Sequence, residues 1–119
     1  MDACFCHPLR SDYINGCNAV GRSEETYSQH RHGEYLVGWG NMCDHILIWN
    51  YGTNFSNINL FFPNFDVMRD NVNFFAECGA IGQFDQLCCE DSSDFVDLIR
   101  YISSKLFWNP TMSEEQYQA

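Results

Sequence analysis

Basic side chains are scarce: six Lys and Arg stand against sixteen Asp and Glu, leaving a net charge of −10 over 119 residues. A surface of that sign repels phosphate backbones and anionic lipid, so neither nucleic acid nor a membrane is expected as a partner. No run approaches the ~20 apolar residues of a membrane span, and the N-terminus lacks the basic, apolar, small-residue order of a secretory signal. In a piece of a longer protein that lack would leave localisation open, with a secreted or cell-surface parent among the options. Internal repeats and low-complexity segments are also missing. The seven cysteines are many for this length, yet none are spaced as Cys-x-x-Cys, and an odd number cannot all pair within the chain. They leave the redox compartment undecided.

What is present centres on His45 to Phe55, HILIWNYGTNF. A run apolar on both alternating faces suits a strand covered on both sides, as in a parallel sheet, and so points to α/β architecture. The run ends in Trp49, Asn50, Tyr51 and Asn54, residues suited to gripping a polar ring. Ligands of parallel β/α folds bind outside the carboxyl ends of the strands, which is where these residues fall.

The rest of the chain fits the same alternation. Ala3 to His7 can form a short strand that Pro8 stops, and Asn15-Gly16 signals a turn in the polar stretch that follows. Glu24 to Trp39 carries Tyr27, Tyr35, Leu36 and Trp39 at helical spacing. Gly52 to Asn64 is a long Asn-rich loop, and loops of that kind are often functional. Asp66 to Cys78 is expected to be helical through Met68, Val72 and Phe75, with Gly79 as its stop. Ala80 to Gln86 reads as a strand. Ser93 to Phe107 is the clearest helix, with Phe95, Leu98, Ile99, Ile102 and Leu106 at three- and four-residue steps. Ser113-Glu-Glu-Gln116 has the form of a capping box opening another helix. This order implies parallel crossovers rather than hairpins. Three parallel strands with helices on one side would leave the other face bare, and a barrel needs about five more strands to cover it. Both ends therefore read as cut.

The segments HILIWNYGTNFSN, FFPNFDVMRDNVNFFAECGAIGQFDQ and DFVDLIRYISSKLFWNP, with CFCHPLRSDYINGCN and Gly38-Trp39 before them, resemble the C-terminal part of the bacterial domain-of-unknown-function family 4838. The resemblance implies a (β/α)8 TIM-barrel related to α-glucuronidases and to family 163 endo-β-N-acetylglucosaminidases. Residues 1–112 would supply about three C-terminal βα units, the sixth to eighth strands, and 113–119 the start of a following helix. The implied function is a fragment of a glycoside hydrolase-like protein, inactive alone, with the remainder of the barrel as partner, a glycan as ligand and no cofactor. Where the family commonly has Trp-Asp-Tyr this chain has Trp49-Asn50-Tyr51, and where it has Phe-Glu-Gln-Gly this chain has Phe84-Asp85-Gln86-Leu87. An amide at 50 cannot serve as acid or base, and Asp85 is a methylene shorter than glutamate.

Glycoside hydrolysis usually needs two flanking carboxyl groups, ~5 to 5.5 Å apart for retention and ~6.5 to 9.5 Å for inversion. Asp85 is the only well-placed carboxylate. It would bind a sugar hydroxyl or support a catalytic carboxylate supplied upstream, against a structural role as helix cap or loop acid. Trp49 and Tyr51 can stack on a pyranose while Asn50, Asn54 and Gln86 offer donors and acceptors to its hydroxyls. Alternation puts Trp49 and Asn50 on opposite faces; Asn50 is expected inward, with Trp49 equally suited to the core. Phe61, Phe62, Pro63 and Phe65 would form an aromatic wall or anchor the loop. Phe74, Phe75, Phe95 and Phe107 are simpler as core, and Trp108 as packing at a helix end. His7 at a strand end would bind ligand. Cys4, Cys6, Cys17, His30 and His32 suggest zinc by residue type but not by spacing, so no metal is expected. A Cys6 to Cys17 link or buried free thiols fit better. Cys88-Cys89 lack a nearby His to activate a thiolate and read as loop or helix-start residues. A non-catalytic carbohydrate-binding or interaction module is the alternative that Asn50 favours.

Overall fold

The computed structural model describes residues 33–52, 64–86 and 95–118. In chain order these form a helix at 33–40 (α1), strand β1 (Ile46–Tyr51), helix α2 (Phe65–Glu77), strand β2 (Ala80–Gln86), helix α3 (Val96–Trp108) and helix α4 (Glu114–Gln118). The strands pair in parallel from Ile46 opposite Ala80 to Tyr51 opposite Gln86, with an irregularity after Ile46. Parallel neighbours cannot be joined by a tight hairpin, and α2 supplies the crossover between them.

Each element follows from its sequence. Met68, Val72 and Phe75 recur at helical spacing and are buried along α2. That helix ends where Gly79 takes φ +87°, a left-handed conformation that costs glycine nothing, while the Cys78 and Gly79 N–H groups donate to the Phe74 and Ala76 carbonyls. Ser113 and Gln116 form the expected capping box. The Gln116 N–H donates to Ser113 Oγ at 3.3 Å and the Ser113 N–H to Gln116 Oε1 at 3.2 Å.

Two apolar clusters hold the layers together. Met68 and Val72 of α2 meet Ile99 and the fully buried Leu106 of α3, with Phe65, Ile102, Met112 and Tyr117 packed around them. The Tyr117 hydroxyl donates to the Phe65 carbonyl at 2.6 Å and Arg69 bridges to Glu114 at 2.7 Å, which docks α4 against α2. Burial and the carboxylates of Asp66 and Glu114 push the Tyr117 phenol above its ordinary pKa, so it remains a donor at neutral pH. The second cluster joins Phe74 and Phe75 to Leu36 of α1, Ile48 of β1, Cys78 and Ala80. It seats α2 on one face of the sheet. Gly40 lies against this junction, where a Cβ would collide with the Cys78 carbonyl.

Several aromatic residues depart from expectation. The buried stripe of α3 runs through Val96, Ile99, Ser103 and Leu106. Phe95 precedes it in a left-handed conformation, φ +64°, and is exposed, as are Phe107 and the 92% exposed Trp108. These three are not core; they lie off the stripe that meets α2. Tyr35 and Trp39 of α1 are likewise exposed, and Leu36 makes the contact instead. The strand expected at 3–7, the start of the helix expected from Glu24, Ser93 and the loop aromatics Phe61, Phe62 and Pro63 lie outside the described residues.

Candidate functional site

Side chains alternate across a strand, so the paired β1 and β2 carry two separate sets at their carboxyl ends. Ile48 packs under Phe74 and Phe75, which makes the face of Ile48 and Asn50, opposite Gln83 and Asp85, the helix-covered one. Leu47 and Trp49, opposite Gly82 and Phe84, occupy the other face, over which no described helix lies. A strand apolar on both sides predicts cover on both sides; among the described residues only one side has it.

On the open face Trp49 is 65% exposed and meets Phe84 edge to face, ring centroids 4.9 Å apart. Its indole N–H donates to Gln86 Oε1 at 3.3 Å. Gln86 thereby keeps its amide N–H groups for another acceptor. Half-buried Tyr51 stands opposite Gln86 in the register. Leu47 lies close over Gly82, which offers no side chain to resist it.

On the covered face Asp85 Oδ1 accepts two hydrogen bonds, from Asn50 Nδ2 at 3.0 Å across the strands and from Gln83 Nε2 at 2.6 Å along its own. Burial pushes the Asp85 carboxyl above its ordinary pKa, and the bonds from Gln83 and then Asn50 only partly offset that. The Asn50 Oδ1 is buried without a partner. An open cleft of about 330 Å³ runs between α2, β2 and the end of α3, lined by residues including Val72, Phe75, Ile81, Gln83 and Phe107.

The expected site residues are thus divided. Trp49, Tyr51 and Gln86 come together on the open face and Trp49 is not core, while Asn50 turns with Asp85 toward the helices. His7 and Asn54 lie outside the described residues, as do Cys4, Cys6, Cys17, His30, His32, Cys88 and Cys89. Cys43 is a free thiol, and the described residues contain no group of three metal-ligating side chains. Gln83 and Phe84 were not anticipated as site residues. Period-two counting from Asp85 and Gln86 would have found both.

A parallel strand, crossover helix and second strand with polar and aromatic residues at the shared carboxyl ends define a mixed α/β protein whose ligand candidates sit at strand ends. The family described as Domain of unknown function (DUF4838) matches residues 5–119, and the chain belongs to it. No curated protein and no solved structure shows a significant match.

Proposed function

We propose that this chain contributes glycan-binding residues to a glycoside hydrolase-like (β/α)8 barrel, with a carbohydrate ring seated on the open face at the carboxyl ends of β1 and β2. The observation that carries this reading is the exposed Trp49, set edge-on to Phe84 and hydrogen-bonded to Gln86. An indole face offers apolar surface to a pyranose, and a neighbouring carboxamide supplies donors to its hydroxyls. Parallel strands with helices on one side also suit three consecutive units of such a barrel, whose ligands bind at that end.

Titration of the full chain with N,N′-diacetylchitobiose, followed by Trp49 indole NMR and calorimetry, tests the reading. Saturable binding that Trp49→Ala abolishes with the fold retained is expected. Binding unchanged by Trp49→Ala would exclude this face as the site.

A second reading, a carbohydrate-binding module without catalysis, is favoured by the covered-face cluster. There Asp85, the only strand-end carboxyl among the described residues, is engaged by two amides, and position 50 is an amide. Absence of aryl glycoside hydrolysis by the parent protein, with sugar binding intact, would select this alternative.

A further inference from the structure

We infer that Asp85 is a positioning residue: from the covered face it clasps the carboxyl ends of β1 and β2 and sets the spacing of Trp49, Phe84 and Gln86 on the open face. Asn50 and Asp85 are direct register partners, flanked on both sides by the open-face pairs Trp49 with Phe84 and Tyr51 with Gln86. A bond across the first pair therefore holds the peptide units that carry the other two. The site lies where the ladder runs out, since the Gly52 N–H to the Gln86 carbonyl, 3.2 Å, follows the last paired residues. Side-chain bonds add most at these last pairs of the β1/β2 ladder. The Asp85 side chain is bonded to Asn50 and Gln83 on the covered face, so its effect on the open face passes through the strands.

The clasp depends on charge. Both amide donors converge on a single oxygen, and protonation of the carboxyl removes the negative charge that strengthens those bonds. Among the described residues the groups facing Asp85 are the neutral amides of Asn50 and Gln83, and no charged side chain of β1, β2, α2 or α3 contributes to its displaced titration, which burial causes. Loosening of the clasp should then follow one proton on one residue. Its consequence for ligand rests on the glycan reading above; the clasp itself is measurable without ligand.

The test follows the Asn50 and Gln83 side-chain amides and the Trp49 indole N–H of the full chain by NMR from acid to neutral pH. The expected result is one midpoint shared by all three signals, above that of an ordinary aspartate. Asp85→Asn should abolish the titration and leave the indole near its acid position. A flat Trp49 signal beside a titrating Asn50 amide would overturn the inference. Should Asp85→Asn fail to fold, Gln83→Met removes one of the bonds that lower the pKa, so the shared midpoint must rise; an unchanged midpoint overturns the clasp. Chitobiose affinity should fall about threefold to tenfold below the midpoint, the range one hydrogen bond commands. No chitobiose binding at any pH would count against the glycan reading alone, because the ligand-free titration judges the clasp independently.

Discussion

The two faces of the β1/β2 sheet draw on the same alternating residues yet meet different surroundings. Ile48 on one face is half-buried against Phe74 and Phe75 of α2, whereas Leu47 and Trp49 on the other remain exposed. Both faces are apolar for most of their length and polar at the carboxyl end, so composition does not separate them. The difference is contact with a described helix, and it divides residues packed into the fold from residues left exposed.

Substitutions on the covered side should produce the largest effects. Phe75→Ala removes a buried ring from the cluster that seats α2 and is expected to cost about 3–5 kcal/mol in chemical denaturation. A loss below 1 kcal/mol would mean the sheet is held by something other than this contact. Gly40→Ala forces a methyl group against the Cys78 carbonyl at the edge of the same cluster, with an expected cost of about 1–3 kcal/mol. An unchanged denaturation midpoint would show that this junction yields without penalty.

The Asp85 carboxyl makes a smaller, pH-dependent contribution. Its folded pKa is raised, so the folded chain holds a proton that the unfolded chain has released, and stability falls as pH rises from the ordinary aspartate range through the folded value. Asp85→Asn should flatten that segment of the stability profile, read from urea midpoints across pH; an unaltered slope would assign it to other groups. The smallest effect belongs to the open face. Leu47→Ala, at a residue 77% exposed, should change stability by no more than about 0.5 kcal/mol. A large loss would show that this face is covered in solution and would erase the contrast between the two sides.

Much of this was legible before any coordinates. The Met68, Val72 and Phe75 spacing, Gly79 as a stop and the Ser113 to Gln116 capping box each encode local geometry, because helix periodicity and end chemistry act within a few residues. β2 lies at Ala80–Gln86, as its residues indicate. Phe95 and Trp108 were less legible. Both are large and apolar in or beside a helical pattern, and only the stripe chosen by α2 shows that they fall outside it. Asn50 was expected inward beside the ring-binding residues, but the packing of Ile48 two residues earlier commits that side of β1 to the helices.

The amino-acid order by itself determined which segments form helices and strands, the parallel connection through α2, and the separation of Trp49 from Asn50 by alternation. Tertiary structure alone decided which of those two faces the helices cover, that Asp85 meets Asn50 and Gln83, and that Trp49 joins Phe84 and Gln86. Alternation is a property of one strand, whereas cover and cross-strand partners depend on residues far apart in the chain, and only the packing of α2 against the sheet brings them together.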